Sequence, residues 1–126
     1  LWVDPDALKA CPNYPELILQ MKRTVDEIQL GRLDTAIEGV RKGLNVAGMV
    51  DMDGNIYYAM GAMKNLDPAD YPGLNIVTLV SPAEWKGLDW HERLPFHAEQ
   101  KLLDYAKKNN IDIAAIYTHL LACPNR

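Results

Sequence analysis

Residues 44–60 read LNVAGMVDMDGNIYYAM, and this stretch has the pattern of a β-hairpin. Two apolar runs flank a polar segment that contains the pair Asp53 and Gly54. An Asp-Gly pair between two strand-like runs is a strong hairpin signal, because both residues tolerate the positive φ that a tight turn requires. We therefore predict a β-hairpin over residues 44–65.

The segment before the hairpin, residues 1–43, has the spacing of amphipathic helices. One stripe repeats every three or four positions and consists of Leu17, Met21, Val25 and Ile28. A second, shorter stripe consists of Leu33, Ala36, Ile37 and Val40. Gly31 and Gly43 follow the two stripes, and glycine is common where helices end. We therefore predict two consecutive helices that are separated at Gly31.

The remaining chain divides at Phe96 into an insertion and a helix-strand unit. Residues 66–95 contain several prolines and two glycines, so we predict short pieces there, with one strand candidate at residues 74–80. From Phe96 the apolar spacing becomes helical and stops at an Asn-Asn pair. A buried strand at residues 111–118 and a Cys-Pro turn then complete the segment 96–126.

Composition indicates one folded domain over residues 1–126. Hydrophobic residues make up 48% of the chain and charged residues 24%, which is enough to build a core. No apolar run approaches the roughly 18 residues of a membrane helix, so no membrane partner is expected. The net charge of -4 supplies no overall positive field, so a polynucleotide would need a local groove.

The residues best suited to catalysis or metal binding lie near the end of the chain. His97 begins the predicted helix in the sequence His-Ala-Glu, and Cys123 follows the next strand. Imidazole and thiolate are both good zinc ligands, and a helix start and a strand end can bring remote parts of a chain to one metal. Glu99, two residues after His97, can take a proton from a water that the metal activates.

This His-x-Glu helix, followed by a strand and a cysteine turn, resembles the zinc-dependent cytidine and nucleobase deaminase superfamily. The resemblance covers about residues 44–126. It implies a three-layer α/β fold with a central mixed sheet, His97 and Cys123 as ligands of Zn²⁺, and Glu99 as the proton shuttle. It also implies that water attacks C4 of cytosine or C6 of adenine and that ammonia leaves.

The resemblance carries further expectations about neighbouring parts of the chain. The family's second cysteine would follow Arg126, and its C-terminal elements are missing here or supplied by another chain. Asn65, just after the predicted second strand, and Ala98 would contact the substrate. An excised chain with a diverged cysteine motif also resembles the deaminase domains at the C-termini of secreted bacterial toxins, which are delivered into a target cell; a chain that is not a toxin domain is expected to be cytoplasmic. A partner would then be an immunity protein or a second chain that completes the sheet.

The residues themselves leave other interpretations of this motif open. His97 also fits the ordinary start of a helix, and Glu99 fits a first-turn acid that is favoured by the helix dipole. Cys123 also fits a small buried side chain. His119, four residues before Cys123, is an alternative metal ligand or a structural histidine.

Three functions from different classes are therefore considered. The favoured one is a zinc-dependent hydrolytic deaminase of a cytosine-type base, in a nucleoside or in single-stranded DNA or RNA. A metal-dependent nuclease would instead place a hard cation among His91, Glu92, His97 and Glu99. A non-catalytic member of the deaminase fold would bind a partner through an open sheet edge.

Overall fold

The computed structural model describes residues 1–10, 13–35, 45–61, 66–78 and 97–118. The helices in these ranges are α1 (Pro5–Ala10), α2 (Tyr14–Thr35) and α3 (Ala98–Lys108). The strands are β1 (Trp2–Val3), β2 (Val46–Asp51), β3 (Ile56–Met60), β4 (Asn75–Ile76) and β5 (Ile113–Thr118). A 3₁₀ turn at Pro68–Asp70 precedes β4. None of these helices is both long and apolar enough to span a membrane.

The five strands form one mixed sheet in the order β1-β5-β2-β3-β4. β2 lies at its centre and runs antiparallel to both β3 and β5, while β4 runs parallel to β3. The predicted hairpin is confirmed, with Val46 opposite Met60 and Val50 opposite Ile56. The chain therefore has an α/β fold with a central mixed sheet, as predicted.

Helices α2 and α3 pack on opposite faces of β2. Alternate residues of a strand point to opposite faces of its sheet. Val50 accordingly belongs to a buried cluster with Met21 of α2, whereas Ala47 and Met49 belong to a cluster with Leu102 of α3. Because both faces are covered, all six residues of β2 are buried. The described elements therefore form three layers, with the sheet in the middle.

Helix α2 approaches the sheet most closely at Gly48. A Cβ atom built on Gly48 would lie 2.7 Å from Cγ and Sδ of Met21 and 2.7 Å from Cγ2 of Val25. Any side chain at this position would overlap the helix, so glycine permits the close approach. The small residue in β2 thus determines how near α2 packs.

The buried carboxylate of Asp51 organises the turn between β2 and β3. Its Oδ1 accepts the backbone N–H groups of Asp53 and Asn55 at 2.9 and 2.8 Å. Its Oδ2 accepts the Asn55 amide at 3.1 Å and the Tyr57 hydroxyl at 2.9 Å. Burial, together with the hydrogen bond to Asp51, raises the pKa of Tyr57 to about 12. Gly54 has a φ of 88°, the left-handed conformation that the Asp-Gly pair predicts.

The N-terminal segment differs from its prediction in two ways. Helix α2 continues through Gly31 to Thr35, so the predicted break at Gly31 is wrong. A glycine inside a helix costs only about 1 kcal/mol relative to alanine, and packing on the sheet outweighs this cost. Residues 36–43 of the second predicted helix lie outside the described part. The short elements α1 and β1 were missed, because neither is long enough to show a period.

The C-terminal helix and strand are confirmed. Helix α3 starts after His97, and Asn110 beyond its end has a φ of 55°, a conformation that asparagine tolerates well. Strand β5 follows with Ala114 and Ala115 fully buried. The strand predicted at residues 74–80 is shorter in the structure, where β4 has two residues. The rest of the predicted insertion, from residue 79, lies outside the described ranges.

The edge of β5 that faces away from β2 pairs with β1. Trp2 lies opposite Ile116, and Val3 lies opposite Ala115. The resemblance implied that the far edge of the sheet is missing or supplied by another chain. In the structure, β1 occupies part of the edge of β5 instead. Local sequence patterns cannot predict this pairing, because more than a hundred residues separate the two strands.

The tight contact at Gly48 predicts that Gly48→Ala destabilises the fold by about 1–3 kcal/mol, because the added methyl group overpacks the core. Val25 cannot easily move, since β-branched side chains are stiff in helices. Urea unfolding measures the effect. Met21→Ala should cost less free energy in the Gly48→Ala background than in the wild type. Equal costs in both backgrounds would show that Met21 does not restrict the site.

The turn predicts that Asp51→Ala lowers the free energy of unfolding by about 3 kcal/mol, because several donors lose a charged acceptor. Asp53→Ala is the matched control in the same turn. It should cost clearly less, because the contacts of Asp53 to Asp51 come from its backbone N–H. Thermal and urea unfolding of both variants test this. Similar losses in the two variants would contradict the role given to the Asp51 carboxylate.

Candidate functional site

The first turn of α3 carries the histidine of the predicted site. His97 is the N-cap residue, with an extended backbone at φ -70° and ψ 149°. Its carbonyl accepts the N–H of Lys101 at 2.9 Å, whereas its imidazole makes no capping hydrogen bond. The residue is half-buried. The backbone of His97 therefore starts the helix, and its ring serves no capping purpose there.

The next two residues of the motif are buried in the fold. Ala98 is 1% exposed and Glu99 is 5% exposed. Acids that only stabilise a helix dipole are usually surface residues, and carboxylates are seldom buried without a specific environment. The position of Glu99 inside the protein therefore favours a chemical role over the role of an ordinary first-turn acid.

The carboxyl end of β3 lies against this first turn. A Cβ atom built on Gly61, directly after β3, would lie 3.1 Å from the backbone nitrogen of Ala98. The Gly61 N–H also donates to the Asn45 carbonyl at 2.9 Å, which continues the pairing of β3 with β2 by one residue. Glycine at this position thus allows the strand end and the helix start to touch.

The strand ends that surround the motif belong to one end of the sheet, which we call the site end. Met60 at the end of β3 pairs with Val46 at the start of β2. Thr118 at the end of β5 pairs with Ala47, one residue further along β2. The carboxyl ends of β3 and β5 therefore lie together beside the start of β2. Helix α3 begins at this same end of the sheet.

A buried lysine completes the described part of the site. Lys101 is 1% exposed, and its Nζ donates to the carbonyl oxygen of Met60 at 2.7 Å. Desolvation by burial lowers the pKa of Lys101 to about 8. Lys101 is not among the predicted site residues. A usable signal existed, since position 101 lies three residues after Ala98 and four before Tyr105, on the apolar face of the helix.

The described ranges contain part of each predicted site. The structure brings together three residues of the predicted deaminase site at one helix start, namely His97, Ala98 and Glu99. The predicted residues outside the described ranges are Asn65, Cys123, His91, Glu92 and His119. The nuclease alternative thus has two of its four residues in the described ranges, and the deaminase hypothesis has three of five.

Within the described ranges, no group of three or more His, Cys, Asp or Glu side chains is arranged to hold a metal ion. His97 supplies one ligand of the predicted pair. Cys123 follows Thr118 by five residues, and an extended chain of that length reaches at most about 17 Å. Imidazole nitrogen and thiolate sulfur are a donor set that suits zinc. The donor chemistry of His97 and Cys123 therefore fits the expected metal, and Cys123 lies outside the described ranges.

A surface groove of about 370 Å³ lies elsewhere, along the outer side of α2. Its described lining consists of Glu16, Leu19, Gln20, Arg23, Thr24 and Glu27. Helix α2 packs on the opposite face of the sheet from α3. The groove is therefore separate from the motif.

Comparison of the chain with protein-family models, curated proteins and solved structures found no match. The likeness to nucleobase deaminases accordingly depends on the His-Ala-Glu motif and on the order of elements around it. Function is inferred from these residues and from their geometry.

The lowered pKa of Lys101 predicts a pH-dependent difference between the wild type and Lys101→Met. Between about pH 8 and the usual lysine value of 10.5, the unfolded chain binds more protons than the folded one. The stability of the wild type relative to this variant should therefore rise by about 2 kcal/mol from about pH 7 to about pH 10. Urea unfolding at each pH measures it.

The exposed lysine of the same helix provides the control for this measurement. Lys108→Met removes a lysine that is solvent-exposed. The difference in unfolding free energy between this variant and the wild type should change much less over the same pH range. A stability difference between the wild type and Lys101→Met that does not change with pH would mean that the Lys101 ammonium is not desolvated in solution.

Proposed function

We propose that this chain is a zinc-dependent hydrolytic deaminase of a cytosine-type base, presented in a nucleoside or in single-stranded DNA or RNA. The observation that carries the proposal is the buried Glu99, two residues after His97, at the start of α3. The same end of the sheet holds Thr118, from which the chain continues toward Cys123.

The order of elements supports a cytidine deaminase-like fold. Hairpin β2–β3 is followed by α3, which opens with His-Ala-Glu and packs on one face of the sheet. Strand β5 comes next and lies beside β2. This is the sequence of hairpin, motif helix and strand that the resemblance implies. Fold likeness alone does not establish an activity, so the chemistry depends on the motif residues.

In this proposal His97 and Cys123 hold the zinc ion. Zinc, when bound, acts as a Lewis acid and lowers the pKa of the water that attacks the base. A neutral imidazole is required for zinc binding. His97 thus serves as a ligand, and its backbone anchors the helix that carries the proton shuttle.

Glu99 carries the proton through the reaction. Its carboxylate accepts a proton from the attacking water as the new C–O bond forms at C4 of the cytosine ring; the C4–N3 π electrons move to N3, which takes that proton from the carboxylic acid. The carboxylate then accepts the C4 hydroxyl proton and passes it to the amino nitrogen, C4=O forms as the bond between C4 and the amino nitrogen breaks, and ammonia leaves. One water is consumed, and the product is the corresponding uracil base. Burial strengthens the interactions of the carboxylate with these developing charges.

Substrate contacts are assigned to Asn65 and Ala98. Ala98 lies in the motif turn, against the end of β3 and next to Glu99 in the chain. Asn65 follows β3 by five residues and offers an amide for hydrogen bonds to the substrate. With a net charge of -4, binding of a single strand would depend on a local surface.

The proposal predicts that Glu99→Gln retains zinc and the fold. Its rate of ammonia release should fall by at least about a hundredfold, because the amide cannot transfer the proton. Cytidine, deoxycytidine and a cytosine-containing oligonucleotide are the test substrates, with product uracil and ammonia both measured. Zinc content and the melting temperature are determined on the same preparations.

Glu16→Gln is the matched control, because Glu16 is an exposed acid in the first turn of α2. It should leave activity unchanged. Wild-type protein that contains zinc and releases no ammonia from any of these substrates would refute the proposed reaction. Retained activity in Glu99→Gln would remove Glu99 from the mechanism while leaving the reaction in place.

A further inference from the structure

Lys101 occupies a position that is unfavourable for a cation. Lysine is almost never fully buried, because removing the ammonium from water is costly. Lys101 is nevertheless 1% exposed. It also lies within the first four residues of α3, where the helix dipole is positive and disfavours cations. An apolar side chain would suit the same buried helix face, so packing alone gives no reason for a lysine here.

The ammonium of Lys101 joins two elements of the site. Its Nζ donates to the carbonyl oxygen of Met60, the last residue of β3, at 2.7 Å. Immediately after Met60, Gly61 approaches the backbone nitrogen of Ala98 so closely that a Cβ atom would lie 3.1 Å from it. Two contacts therefore hold the carboxyl end of β3 against the first turn of α3, and one of them is a charged hydrogen bond.

The turn held by these contacts is the one that carries the motif. Glu99 precedes Lys101 by two residues, and the N–H of Lys101 donates to the carbonyl of His97 at 2.9 Å. Residues two apart on a helix do not face each other, so Lys101 acts on Glu99 through the position of the turn. A change in the spacing between β3 and this turn would redirect the Glu99 carboxylate.

We propose that Lys101 is a positioning residue of the deaminase site, which holds the turn bearing His97 and Glu99 in register with the end of β3. This inference rests on the proposed function. It explains why a buried cation is kept at the site end of the sheet. Catalytic rates are sensitive to such positioning, since a misplacement of about 1 Å can lower the rate about a hundredfold.

A positioning role and a purely structural role predict different results for Lys101→Met. Methionine has a similar length and no charge, so it fills the buried space without the desolvation cost. If Lys101 only supported the fold, activity would follow the fraction of folded protein. If Lys101 positions the motif, kcat falls although the protein remains folded and retains zinc.

The experiment measures kcat, KM, zinc content and melting temperature for the wild type, Lys101→Met and Lys108→Met on cytidine or on whichever cytosine substrate the wild type accepts. For Lys101→Met we expect kcat to fall by about tenfold or more, with KM changed less, zinc retained and the melting temperature unchanged or raised. Lys108 is exposed near the far end of α3, so its variant should behave as the wild type.

Activity of Lys101→Met within about threefold of the wild type would overturn the inference. So would a loss that parallels a loss of zinc or of folded protein. If Lys101→Met does not fold, Gly61→Ala decides the question, because it keeps the lysine and widens the same contact from the strand side. A folded, zinc-containing Gly61→Ala with reduced kcat supports the positioning role, and one with wild-type kcat overturns it.

The outcomes for the two proposals remain distinct. A wild type that deaminates none of the substrates refutes the proposed function and, with it, any positioning role of Lys101 in that reaction. An active wild type combined with an active Lys101→Met refutes only the role of Lys101.

Discussion

The burial of β2 on both faces and along both edges is the constraint on which the rest of the structure depends. All six of its residues are buried, and it pairs with β3 on one side and with β5 on the other. Helix α2 covers one face, and α3 covers the other. Because side chains alternate along a strand, this single strand determines which residues of both helices enter the core. Gly48 then determines how near α2 can lie.

The two ends of the hairpin bury polar groups for different purposes. At the turn end, the Asp51 carboxylate accepts hydrogen bonds from donors that lie within six residues of it in the sequence. Such a local network shapes a turn. At the site end, Glu99 and Lys101 are buried next to strand ends from remote parts of the chain. Buried charged groups cost free energy, and active sites are a common reason for this cost.

Much of the fold could be predicted from local patterns. The hairpin, α3 and β5 each have a clear period and clear end signals, and each was predicted at nearly its observed position. The break at Gly31 was wrong, because packing of α2 on the sheet overrides the weak local preference of one glycine. Strand β1 has two residues and no period of its own, so only its pairing with β5 defines it.

For the site, the sequence alone determined the type of chemistry available at the start of α3, because the order His-Ala-Glu depends only on neighbouring residues. The tertiary structure decided that this turn lies beside the carboxyl ends of β3 and β5. It also decided that the buried Lys101 ammonium donates to the Met60 carbonyl. These relations join residues that are tens of positions apart, and no local spacing encodes which end of a sheet a helix will meet.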